Sequence, residues 1–192
     1  IIKCIKGDLV FFFDADVVLE ENCISNIITP FRQNEKIGVC SGNIMPLKSS
    51  ELKGFFEFAS LFIRELHHEL CLYLVSKGLT PKVNGTFFAF RKNIVNSFPR
   101  IVVSDDEYVS WHAQKKGYKV AYVPNALVLT RDPHSFRGFI KWQKRILAGQ
   151  FYMKRHFNYD VPTMRISVLI NGGTLKLASK YRRKLLSLLT LA

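Results

Sequence analysis

The sequence predicts a three-layer α/β fold on a mixed, mostly parallel sheet, followed by a basic helical C-terminal tail. Three observations predict it. Asp8-Leu-Val-Phe-Phe-Phe13 is a short apolar run ending in Asp14-Ala-Asp16, the pattern of a strand buried on both faces. Strand-like runs then alternate with segments of helical period, the order that builds helices onto both faces of one sheet. Finally, 192 residues that are 48% hydrophobic, 13% aromatic and 22% charged can bury a sizeable core, which excludes disorder and fibrous repeats.

After the first strand, Glu20 to about Phe31 has helical spacing in Cys23, Ile24, Ile27 and Ile28, with Pro30 helping to end it. Ile37–Ile44 reads as a second strand. Ser50 to Ser76 reads as a long apolar helix, with Ser50 as N-cap and Gly78 as its stop. Val83–Phe90 holds the turn Asn84-Gly85-Thr86 and then an apolar run. Ser104 to Lys116 is a helix capped by Ser104 and closed by Gly117. Two short strands, Lys119–Val123 and Ala126–Thr130, are expected on either side of Pro124. Ser135 to about His156 is a basic, aromatic helix, and the tail after Pro162 is irregular around Gly172-Gly173 before turning helical. In domain terms, residues 1–157 form the catalytic-type α/β unit and 158–192 a basic helical tail, membrane-proximal by its composition.

Charge is segregated along this plan. The whole chain carries +13, yet Pro133 to Ala192 alone holds twelve basic residues and one acid, Asp160. The last third therefore faces something anionic. No aromatic-basic recognition signature accompanies the charge, so a nucleic-acid partner is not expected. No apolar run reaches the length of a membrane span. Cys4, Cys23, Cys40 and Cys71 form no C-x-x-C and no paired metal pattern and sit among apolar residues, which fits a reduced, cytosolic setting.

Four clusters carry candidate chemistry. Asp14 and Asp16 leave a strand end, where open α/β sheets bind ligands. Two residues apart in extended chain they point the same way and can share one hard cation, although a strand end turning into a solvated loop looks the same. Asp105-Asp106-Glu107 fill the first turn of a helix; dipole compensation wants acids there, but three exceed that need and one can serve as a general base. Asn84-Gly85-Thr86 is a small polar turn that lets backbone approach a phosphate or sugar, or is an ordinary tight turn. On the basic helix Arg145 can neutralise a diphosphate leaving group, with Trp142 beside it; a solvated basic face is the alternative.

The order of the blocks is more specific than any one of them. Gly7-Asp8-Leu-Val-Phe-Phe-Phe-Asp14-Ala-Asp16, then Asn84-Gly85-Thr86 leading to Arg91, then Asp105-Asp106-Glu107-Tyr108 running to Lys116-Gly117-Tyr118, then Gln143-Lys144-Arg145, resembles the family 2 glycosyltransferases over roughly residues 3 to 150. The resemblance implies a glycosyltransferase type A, Rossmann-like fold and inverting transfer from a nucleotide-diphosphosugar to a hydroxyl acceptor, a glycan or a lipid-linked sugar. It implies that Asp14 and Asp16 hold the donor diphosphate through Mg²⁺ or Mn²⁺, with His134 a candidate third metal ligand. It makes Asp106 the base beside Asp105, Arg145 a diphosphate ligand, and Asn84, Gly85, Thr86 and Trp142 acceptor-side residues. Trp142 and Ile146 stand where the family's Gln-x-x-Arg-Trp motif has glutamine and tryptophan, which weakens the case for a processive synthase. The strands that the family carries in front, which hold the nucleotide base, are missing, so the fold is expected to be N-terminally incomplete. Partners are then a nucleotide-sugar, an acceptor and an anionic membrane surface, with the protein at the cytoplasmic face of a membrane. The competing reading is a non-catalytic membrane-surface or anion-binding module.

Overall fold

Five strands form one sheet in a computed structural model that describes residues 2–47, 55–99, 104–131, 133 and 135–182. They are β1 (Leu9–Phe13), β2 (Val17–Leu19), β3 (Ile37–Pro46), β4 (Phe87–Arg91) and β5 (Lys119–Thr130), lying side by side in the order β1-β4-β3-β5-β2. The helices are α1 (Cys23–Gln33), α2 (Phe55–Ser76), α3 (Asp105–Lys115), α4 (Phe136–Phe157), α5 (Ile166–Leu169) and α6 (Leu175–Lys180).

The sheet is mixed, as expected, with the parallel share concentrated in one long pairing. β3 and β5 run parallel from Ile37↔Lys119 to Pro46↔Thr130, while β1/β4, β3/β4 and β2/β5 are antiparallel. Antiparallel pairing was not legible because β4 follows a long helix, which suits a parallel crossover equally well. Here that helix delivers the chain to the end of the sheet where β1 finishes, so Phe87 pairs with Phe13 and β4 starts there. The carboxyl ends of β1, β3 and β5 and the amino end of β4 thus share one edge.

Side-chain alternation builds the three layers. Phe88 and Phe90 join Val10, Val39, Val109 and Met153 on the face covered by α3 and α4. Phe87 and Ala89 point the other way, onto Ile27, Phe31 and Val128 under α1. The chain after α4 turns back into this body. Tyr159 and Val161 join the first core, and Val168 packs with Leu70 and Leu74 of α2. Lys176–Glu69 and Lys180–Glu65 pairs at 3.0 and 2.8 Å tie α6 to α2.

Several local expectations are corrected. β5 is one strand rather than two: Gly42 faces Val123 and Asn43 faces Leu127, so residues 124–126 bulge out of the ladder and Pro124 sits where no N–H is required. Val17–Leu19 pairs with β5 as a short extra strand, too brief to show a periodicity. Pro30 lies inside α1, which continues to Gln33 and closes when Asn34 N–H donates to the Pro30 carbonyl. Gly78 and Gly117 take positive φ at helix stops, as expected. Ser50 lies outside the described residues. Cys23, Cys40 and Cys71 are buried and free, whereas Cys4 is exposed, not packed among apolar residues.

Candidate active site

The site forms where β1 ends and β4 begins. Asp14 N–H donates to the Thr86 carbonyl at 3.1 Å, which ties the Asp14-Ala-Asp16 strand end to the Asn84-Gly85-Thr86 turn. That turn is braced from within and from below. Asn84 Oδ1 accepts from Thr86 N–H at 3.0 Å, and Ser41 Oγ on β3 accepts from Asn84 N–H at 3.0 Å. A pocket of about 190 Å³ opens here, lined by Asp14, Gly85, Asp105, Asp106, Trp142 and Arg145 among others. A second, of about 300 Å³, shares Asp14, Thr86, Trp142 and Arg145 and adds Asp16, Arg64 and Arg131. The four sequence clusters therefore converge on one place.

α3 presents its three acids differently. Ser104 has extended backbone but does not cap the helix with its side chain; its hydroxyl donates instead to Asp106 Oδ1 at 2.7 Å. Asp105 Oδ1 accepts from Asp106 N–H at 3.0 Å. Gly85 lies against the other side of Asp106: a Cβ built there would come within 3.3 Å of Asp106 Oδ2. Glu107 turns inward to 1% exposure, with Lys82 Nζ 3.5 Å from its Oε1 and 4.0 Å from Asp106 Oδ2.

These positions match a known family. The profile described as "Glycosyltransferase like family 2" covers residues 1–149. The chain belongs to this family. Poly-beta-1,6-N-acetyl-D-glucosamine synthases of Staphylococcus aureus and Staphylococcus epidermidis are 26% identical over 178 residues, which is 88% of this chain and 42% of theirs. The chain therefore spans less than half the length of these curated relatives. Among solved structures, the mannosyltransferase PcManGT from Pyrobaculum calidifontis, in complex with GDP-Man and Mn²⁺, superposes with a TM-score of 0.54 at 18% identity. That match covers 88% of this chain and 45% of the other. It shares the glycosyltransferase type A fold.

Electrostatics in this family 2 site are dominated by carboxylates. Burial, then repulsion from Asp16, raises the Asp14 carboxyl above its ordinary range, against Arg145, a Thr86 hydrogen bond and Arg64. Asp105 is raised first by desolvation within the pocket and then by Asp106, with Asp14 adding to it. Burial raises Glu107, with Lys82 opposing. Burial lowers Lys82, but Glu107 and Asp106 outweigh it and hold the amine above the usual lysine range. Carboxylates that repel one another at an all-oxygen site suit a hard divalent cation. Asp14 and Asp16 are the residues that would hold one. Among the described residues no group of three or more His, Cys, Asp and Glu is placed so that it could hold a metal ion. His134 lies outside the described residues.

Arg64, Arg131 and Lys82 escaped the sequence reading. Arg64 is buried on α2 with its guanidinium 5.1 Å from the Trp142 ring. Its signal was available: it is the one Lys or Arg in Phe55–Ser76, and a lone cation in so apolar a helix needs a partner. Lys82 had no such signal, because Thr80-Pro81-Lys82 reads as ordinary loop.

Proposed function

We propose that this protein is the acceptor-side part of an inverting glycosyltransferase that moves a sugar from a nucleotide-diphosphosugar to a hydroxyl acceptor. The observation that carries the reading is the convergence of Asp14, Asp106 and Arg145 on one pocket of about 190 Å³. A base and a leaving-group site have to stand on opposite sides of the anomeric carbon for in-line attack. Asp106, with one oxygen fixed by Ser104, takes the proton of the acceptor hydroxyl. The acceptor oxygen forms its bond to the anomeric carbon as the bond to the diphosphate oxygen breaks, and the nucleoside diphosphate leaves with the bonding pair. Arg145, with Arg64 and Arg131 around the adjoining pocket, stabilises charge growing on the diphosphate. A Mg²⁺ or Mn²⁺ ion at Asp14 and Asp16 supplies further neutralisation of that charge when bound. Trp142, held edge-on by Phe139 with 5.9 Å between centroids, offers an aromatic wall to an acceptor sugar beside Asn84, Gly85 and Thr86.

The excess of basic residues on α4 and in the tail supports the reading that this chemistry takes place at an anionic membrane surface, on the cytoplasmic side, where glycan or lipid-linked acceptors are met. No helix among the described residues is long and apolar enough to cross a membrane. The test is nucleoside diphosphate release by the full-length protein with Mn²⁺ and GDP-mannose, UDP-glucose or UDP-N-acetylglucosamine. Release that needs both Mn²⁺ and Asp16, and that vanishes in Asp16→Asn without loss of fold, is the expected result. Unchanged release in Asp16→Asn would overturn the metal assignment.

A further inference from the structure

Three acids in succession pose a charge problem that the base assignment leaves open. Asp105, Asp106 and Glu107 stand on one helical turn with Asp14 near Asp105, and a buried carboxylate among like charges takes up a proton rather than serving as a base. Glu107 is the most enclosed of them, and its oxygens meet no other hydrogen-bond donor among the described residues. Among the described residues, the one ammonium facing both it and Asp106 belongs to Lys82, whose side chain is 13% exposed.

We propose that Lys82 is a positioning residue for the base, its ammonium set between Glu107 and Asp106 so that Asp106 keeps its aim toward the acceptor. The proposal rests on the reading of Asp106 as general base. The backbone of Lys82 is itself fixed. Pro81 and Val83 on either side are buried, and the Lys82 carbonyl accepts from the Cys71 thiol on α2 at 3.7 Å. Two residues later comes the Asn84-Gly85-Thr86 turn, so the segment that shapes the acceptor side also delivers the cation. Asp106 is then held from three directions: Ser104 on Oδ1, Lys82 toward Oδ2, and the bare Cα of Gly85 against the same oxygen. Glu107, which lines the same pocket, is in this arrangement the nearer partner of the buried lysine, at 3.5 Å against 4.0 Å for Asp106.

Charge balance dictates the test, run on the full-length protein with Mn²⁺ and whichever of GDP-mannose, UDP-glucose and UDP-N-acetylglucosamine the wild type turns over. Lys82→Met strands Glu107 and loosens Asp106, so kcat falls by about 10–100-fold, the scale of a misplaced catalytic group, while the nucleotide-sugar KM stays within about twofold. Lys82→Arg, which keeps the charge, restores most of the rate. Lys82→Met/Glu107→Gln, which removes both charges, recovers part of the loss and folds even where the single variant does not. Full kcat in Lys82→Met overturns the proposal. So does an equal loss in Lys82→Arg, a double variant no better than the single, or a defect confined to KM. Absence of turnover by the wild type with every donor would instead defeat the transferase reading, which separates the two failures.

Discussion

Gly85 has no side chain where Asp106 needs room, and that small fact ties two sequence blocks 21 residues apart into one device. A methyl at Gly85 would stand 3.3 Å from both Cγ and Oδ2 of Asp106, close enough that the carboxylate must move by tenths of an ångström while Ser104 holds its other oxygen. Gly85→Ala is therefore expected to fold normally and lose about tenfold in kcat, since small displacements of a reacting group cost rate steeply. A variant with full kcat would remove the contact between turn and base from the mechanism. Asp106→Asn should lower kcat by about 10²–10⁴, the range for losing a general base, with donor affinity retained. Asp105→Asn should cost less, because Asp105 Oδ1 accepts the Asp106 N–H and acts through its neighbour. A larger loss in Asp105→Asn would shift the base assignment by one residue.

At the scale of elements, what was legible depended on whether a residue acts through its neighbours in sequence or across the fold. β1 was legible as a strand from its apolar run and two terminal acids, but not its environment: it lies at the sheet edge rather than buried on both faces, and Phe13 is 56% exposed. The joining of β5 across Pro124 was not, because the bulge at 124–126 is set by β3: a Cβ at Gly42 would lie 2.5 Å from the Ala126 carbonyl oxygen. Gly42→Ala should accordingly destabilise by about 1–3 kcal/mol, as overpacking does, seen as a lower melting temperature. α2 is a long apolar helix, yet it carries Arg64, which lines the pocket beside Asp14 and Asp16, and His67 and Cys71 one and two turns on. Burial, then repulsion from Lys82, Arg64 and His68, lowers His67 to about 3. A folded pKa below the ordinary 6.5 means stability that is full above about pH 6.5 and lost as pH falls toward 3. The slope in that window is at most about 1.4 kcal/mol per pH unit. His67→Leu should flatten the fall of melting temperature between pH 6.5 and 4. A wild-type slope unchanged by the substitution would show that His67 is not the group responsible.

For the whole molecule, the charge asymmetry was plain in the sequence but its geometry was not. Twelve basic residues follow residue 132, and those among the described residues are not spread evenly over the surface. On α4, Lys144, Leu147, Phe151 and Arg155 recur at spacings of three and four, so they share one face. All four are exposed, Leu147 at 41% and Phe151 at 72%, and Arg145 points elsewhere, into the site. Beyond α4, Ile166, Ile170 and Leu175 are exposed as well. Large apolar groups bracketed by cations have no use in water alone, whereas at an anionic lipid surface the cations gain about 1 kcal/mol each and the apolar side chains leave water. The protein should therefore sediment with phosphatidylglycerol vesicles and not with phosphatidylcholine ones. Binding should weaken in 1 M NaCl, where the screening length falls to about 3 Å. Lys144→Glu/Arg155→Glu, on the face turned away from the site, should abolish sedimentation while leaving nucleotide release from soluble donor unchanged. Equal sedimentation with both lipids, or binding indifferent to the two reversals, would detach the basic stripe from any membrane role and leave α4 with its Trp142–Arg145 contribution to the site alone.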